Sequence, residues 1–171
     1  MKNLKILLIA VITIGFTACS SDDDAPAFEL SNANLAGTYD IVFLEGSEVE
    51  STTTSSGNTI VVETISFTTD TFTNATYVFS TSGTLVMSGS YRKNETVTAN
   101  GNSTTDSEIV ILDSQTTFSL NVTGRTITID GDIWEITRFD DDELFLTTTD
   151  VDVVGTNTFT EETELRLRRR N

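Results

Sequence analysis

The chain has 171 residues, with 26 Asp and Glu against 10 Lys and Arg, and a net charge of −16. Such a charge repels nucleic acid and anionic lipid surfaces alike, which excludes nucleic-acid binding. Histidine is absent and there is one cysteine, so Ser-His-Asp and Cys-His nucleophilic machinery and the common zinc ligand sets are removed; no metal, no cofactor and no enzyme activity are expected.

Lys2 and Lys5 open the chain, Ile6 to Phe16 is an apolar run, and Thr17-Ala18 are small. This is the order of a secretory signal peptide, and the run falls short of the roughly 20 apolar residues of a bilayer span. Phe16-Thr17-Ala18-Cys19 resembles the lipobox of bacterial lipoproteins. The resemblance implies cleavage before Cys19, a diacylglycerol thioether on its sulfur and an acylated (palmitate-type) amino terminus. The alternative is an ordinary secreted chain with a lone free thiol, which has no disulfide partner. One acyl chain holds a protein on a membrane only marginally, whereas two or three hold it firmly. Ser20-Ser21-Asp22-Asp23-Asp24 gives no help to membrane contact, because anionic headgroups repel it. It resembles the export tag behind the lipidated cysteine in surface lipoproteins of Bacteroidetes, which implies an outer-membrane protein facing the exterior. A solvated tether on the periplasmic face is the other reading. Residues 1–18 therefore read as signal peptide, 19–34 as lipidated cysteine and acidic flexible tether, and 35–171 as one domain of ordinary size.

Ser31 to Leu35 suits one helical turn, and from there the apolar period is two. Gly37 to Leu44 aligns Tyr39, Ile41 and Phe43. Thr59 to Phe67 aligns Ile65 and Phe67, with Ile60-Val61-Val62 apolar on both faces. Ala75 to Ser80 aligns Tyr77 and Phe79, and Thr84 to Tyr91 aligns Leu85, Met87 and Tyr91. Glu108 to Leu112 is a short apolar run. Thr116 to Val122 aligns Phe118, Leu120 and Val122, and Thr126 to Ile129 aligns Ile127 and Ile129. Ile133 to Phe139 aligns Trp134 and Ile136, Glu143 to Thr147 aligns Leu144 and Leu146, and Thr163 to Arg169 aligns Leu165 and Leu167. Asp130-Gly131 suits a two-residue type I′ hairpin, where both positions need positive φ. Ser82-Gly83, Asn100-Gly101, Thr123-Gly124 and Asp140-Asp141-Asp142 are further turns. Short antiparallel strands, about 8–10 of them at regular spacing, predict an all-β fold, and tight consecutive hairpins favour an up-and-down barrel, which removes sheet edges. A transmembrane barrel would need an apolar outer band with aromatic girdles, and the face opposite the aligned apolar set is Thr, Ser, Asp and Glu.

Leu35-Ala36-Gly37-Thr38-Tyr39, the hairpin Phe79-Ser80-Thr81-Ser82-Gly83-Thr84-Leu85, the segment Trp134 to Leu146 and the basic last strand around Leu165-Arg166-Leu167-Arg168 together resemble lipocalin-like domains, over roughly Leu35 to Arg170. The resemblance implies a calycin-type barrel, with the stretch Gly46 to Asn58 as the long loop over the mouth. It also implies an aromatic residue at the closed end under an arginine of the last strand. The family's tryptophan is Tyr39 here, so a cation–π contact with Arg166 or Arg168 is expected; core packing of Tyr39 is the alternative.

Two functions from different classes follow. Tyr39, Phe43, Phe67, Phe79, Met87, Phe118 and Trp134 are the candidate lining of a cavity for a small apolar or amphipathic ligand, although small barrels often fill the same space with side chains. A solid interior, without a cavity of roughly 300 Å³, counts against that reading. The other function is a non-enzymatic accessory lipoprotein that meets an outer-membrane complex or matrix through the barrel exterior; the protein partner is unknown. Asp140-Asp141-Asp142-Glu143 offers hard oxygen ligands for calcium, but neighbours on a tight turn diverge, so a solvated turn is the better reading, as for Asp150-Val151-Asp152. The run Arg166 to Arg170 either docks an anionic partner or balances the acidic surface.

Overall fold

The computed structural model describes residues 28–170. The expected leader, Cys19 and the Asp22-Asp23-Asp24 run lie outside them. One helical turn, α1 (Asn32–Leu35), comes first; Ser31 caps it by accepting from the Asn34 amide at 3.1 Å. Eight antiparallel strands follow: β1 (Gly37–Thr53), β2 (Thr59–Phe79), β3 (Thr84–Ala99), β4 (Asn102–Asn121), β5 (Thr126–Ile129), β6 (Asp132–Phe139), β7 (Glu143–Val154) and β8 (Asn157–Arg169). Each pairs with its neighbours in sequence and β8 returns to β1, so the sheet closes into a barrel.

The ten expected runs become eight strands because two pairs of them fuse. The runs at residues 59–67 and 75–80 are both β2, carried past an irregularity in which Thr71 (φ 52°) and Asn74 (φ 49°) are left-handed. The bulge shifts the alternation without ending the strand. Gly89 of β3 makes room for it: a Cβ there would sit 2.2 Å from the Asn74 carbonyl oxygen. The runs at 108–112 and 116–122 are both β4, because Asp113-Ser114-Gln115 keep their register on β3 unbroken. Nor is Gly46 to Asn58 a loop. β1 runs through it to Thr53, and the turn is a tight one closed by the Thr54 amide donating to the Asn58 carbonyl at 2.8 Å. Its Thr and Ser residues suit an extended, half-solvated wall, and Gly46 lies flat under the Phe67 ring.

Strand lengths divide the barrel into two levels. At the base all eight strands are present and the apolar alternation points inward. Leu35, Tyr39, Phe79, Leu85, Ile127, Ile136, Leu144, Leu146 and Leu167 are fully buried there. Leu30 joins them at 6 % exposure, and Phe28 stacks on Phe139 at 5.0 Å. The expected tether therefore ends earlier than residue 34: its last part seals the base. Above the base, β5 and β6 stop. β5 pairs with β4 only over Phe118–Asn121, and the β6–β7 ladder ends at Thr147. Six long strands continue as a curved trough, open between β4 and β7.

Candidate functional site

Tyr39 closes the base, with Arg169 over it. The guanidinium carbon lies 4.7 Å from the Tyr39 ring centroid, and Nη2 donates to the phenol oxygen and to the Asn34 carbonyl. Nη1 donates to the Ala36 carbonyl at 2.8 Å, and the Tyr39 hydroxyl donates to the Leu35 carbonyl at 3.0 Å. Arg169 and the Tyr39 hydroxyl together thus satisfy the Asn34, Leu35 and Ala36 carbonyls at the end of α1, which have no partner inside the helix. Burial pushes the Tyr39 phenol up to about 12, against the opposing pull of Arg169. The aromatic-under-arginine pair exists as expected, but neither Arg166 nor Arg168 makes it. Those two alternate with buried Leu165 and Leu167 and so face outward, while Arg169 shares the inward parity of both leucines. Counting in twos from Leu167 would have found it.

Of the seven candidate lining residues, Tyr39, Phe79 and Phe118 are core. Phe79 meets Tyr39 edge-on at 5.6 Å and Phe118 edge-on at 5.2 Å, which fills the base with interlocked rings. Met87 and Trp134 pack against the same cluster from its edge. Phe67 is half-buried higher up, with the Lys93 ammonium 5.2 Å from its ring centroid. Phe43 is not inside at all. A register shift between Ile41 and Phe43 brings Leu44 opposite buried Leu165 and turns Phe43 out beside Arg166. There the Arg166 guanidinium lies 4.4 Å from the Phe43 ring and 5.3 Å from Phe145, and Arg138 sits 5.3 Å from the other side of Phe145. Arg168 lies on the same outer face, 3.8 Å from the Glu143 carboxylate.

The acidic turn has a structural use. Asp140 Oδ1 accepts from the backbone amides of Asp142 (3.0 Å) and Glu143 (2.8 Å), while Arg138 holds its other oxygen at 2.8 Å. These contacts draw the Asp140 carboxyl below its ordinary range, the arginine contributing most. No group of three or more acidic, Cys or His side chains disposed to hold a metal occurs among the described residues.

The trough above has a mixed inner face, set by the parity of Leu44, Phe67 and Leu165. Its floor is apolar: Leu44, Phe67, Tyr91 and Leu112, with Phe72 and Tyr91 at 6.2 Å ring to ring. Its rim is acidic. Glu48, Asp150, Asp152 and Glu161 converge with Phe159 around a depression of about 160 Å³, and Glu95, Asp106 and Glu108 surround Lys93. Larger open depressions of about 470 Å³ lie where the trough meets the base, one beside Gly46, Phe67 and Thr163, the other above the β5–β6 hairpin beside Ile133, Trp134 and Asp150. The acidic rim was missed in the sequence because its members are spread over β1, β3, β4, β7 and β8.

No protein-family model matches this chain, and no curated protein matches it. Among solved structures it is similar to two crystal structures of Ail, the attachment invasion locus protein of Yersinia pestis. One has 7% sequence identity and a TM-score of 0.25; the other, in complex with the heparin analogue sucrose octasulfate, has 8% and 0.24. Each match covers 79% of this chain and 99% of that one. A likeness this weak carries no inference about what this chain does.

Proposed function

We propose that this chain is a non-enzymatic surface lipoprotein, lipid-anchored through Cys19 on the outward face of the outer membrane, whose lipocalin-like barrel docks a protein partner on its wall. The lipocalin-like assignment rests on the consecutive strand order, the helical turn before the first strand, and an aromatic residue held under an arginine of the last strand at the closed end. Docking rests above all on the long free side of β4, with solvent-exposed Ile109 and Ile111 beside it, above a base already filled by its own rings. Photo-crosslinkers placed along the outer wall in the living host test this directly. A reproducible partner at adjacent wall positions supports the reading, and empty crosslinking at every position refutes it. The anchor has its own test: labelled palmitate incorporated into the protein, and lost in Cys19→Ser. Protease added to intact cells reports the face.

A second reading is favoured by the trough floor. Half-buried Phe67, Phe72 and Tyr91 under a carboxylate rim suit an amphipathic small molecule with a cationic group. Native mass spectrometry of the protein from its own host, showing a stoichiometric co-purifying mass, would support it; a bare protein would not.

A further inference from the structure

We infer that the free edge of β4, from Asn102 to Gln115, docks an extended strand of another protein that carries Lys or Arg along one face and aliphatic side chains along the other. The inference rests on the docking reading above and gives it a site and a partner chemistry.

β3 pairs with β4 without a register shift from Thr117 to Asn102, whereas β5 takes only Phe118–Asn121. Among the described residues no strand pairs with the rest of that side; the Thr117 carbonyl accepts from the Asp130 amide at 3.3 Å and the Ser107 amide donates to its neighbour Asp106 Oδ1 at 2.8 Å, which an incoming strand would have to displace. Alternate N–H and C=O groups along this stretch therefore point off the sheet, which is the template a strand adds to. Proteins usually blunt such an edge with proline, lysine, a bulge or a very short strand. β4 has no proline, no lysine and no bulge, and it is 20 residues long; the only charges along it are Asp106, Glu108 and Asp113, which turn away another acidic edge and leave a basic strand as the one they admit.

The two faces of the edge specify the occupant. On the outer face Ile109 and Ile111 are 61% and 75% exposed. On the inner face Asp106 and Glu108 have Lys93 beside them, but its ammonium is already on Glu95 at 2.5 Å. Cross-strand pairs are stabilised by opposite charges and by aliphatic contact, and weakened by like charges face to face. A strand with cationic inner and aliphatic outer side chains answers both faces. A second copy of this chain does not, because its own β4 edge has no Lys or Arg to offer the two carboxylates. Across the opening, β7 repeats the pattern, with Asp150 and Asp152 inside and Val151 and Val153, 55% and 63% exposed, outside.

The test takes the full-length protein and three synthetic nonapeptides: alternating Lys and Val, the same composition in blocks, and the alternating peptide N-methylated at every backbone amide. The alternating peptide should bind and slow hydrogen exchange at alternate amides of Asn102–Gln115. Asp106→Asn with Glu108→Gln, and separately Ile109→Thr with Ile111→Thr, should each weaken it at least tenfold with an unchanged unfolding midpoint. The N-methylated peptide should give no protection. Equal binding of the block peptide, protection confined to other strands, or a dimer of this chain that already shields the edge would each overturn the inference. In the host, a crosslinked partner at other wall positions but not at Ile111 removes the edge and leaves the docking reading standing. Silence at every wall position removes the docking reading itself.

Discussion

Arg169 and Arg166 stand three positions apart and do unlike work. Arg169 is half-buried, donates to two backbone carbonyls and the Tyr39 oxygen, and leaves its Nε buried without a partner. Removing it orphans buried acceptors, so Arg169→Ala should lower unfolding free energy by about 3 kcal/mol in urea titrations. Arg166→Ala, on the wet side, loses cation–π contacts and a solvent-screened ion pair with Glu164, and should cost clearly less than Arg169→Ala. Equal costs would contradict the assignment of inside and outside. Tyrosine titration offers a second check. Burial pushes Tyr39 and Tyr77 up to about 12 from an unfolded value of 10.0. The folded chain keeps these protons longer than the unfolded chain does. Their contribution is therefore complete below pH 10 and is lost as pH rises from 10 to 12, at about 1.4 kcal/mol per pH unit for each tyrosine. Tyr77→Phe should flatten that alkaline slope in denaturant titrations at stepped pH.

The elements show which parts of the fold were legible. Asp130-Gly131, read as a type I′ hairpin, has φ of 55° and 104°, and Asn100-Gly101 has 52° and 76°. Turn chemistry is local, so two residues were enough to announce it. The join within β2 was hidden for the opposite reason. Its bulge is accommodated by Gly89 on another strand, and no window of the β2 sequence contains that information. Gly89→Ala should cost about 2 kcal/mol or more, since backbone must move. Gly131→Ala, with open space around it, should cost about 1 kcal/mol from its left-handed conformation alone. Comparing the two unfolding midpoints separates the clash from the dihedral. Phe43 went astray similarly: strict alternation placed it inside, and a shift against β8 put it outside. Cys19 was the clearest signal in the sequence, and it lies beyond the described residues.

At the scale of the molecule, apolar burial is concentrated at one end of the barrel, and the wall above is held by ladder hydrogen bonds and sparse inner contacts. Local opening should follow that gradient. Amide exchange should be slowest where Tyr39, Leu85, Ile136 and Leu146 reside and fastest along the unpaired side of β4, with Thr105, whose amide faces that side, exchanging far ahead of Leu146. A uniform profile would show that the upper wall is as firmly held as the base. The same separation explains why, of the lining set read from aromatic content, Tyr39, Phe79 and Phe118 are core and Met87 and Trp134 pack against its edge. With eight strands and a base this narrow, the rings had little room to do anything except touch each other.

Phe28 enters the structure against Phe139, beside the turn where β6 becomes β7, and so at the plugged foot of the vessel. Whatever precedes it is joined there. Held by that foot on a bilayer, the vessel would stand with its lip farthest from the lipid. The bare flank of β4 and the carboxylate collar would then be the first features a visitor from solution encounters. The shortness of two strands would thereby become a matter of orientation: the breach they leave would open away from the lipid.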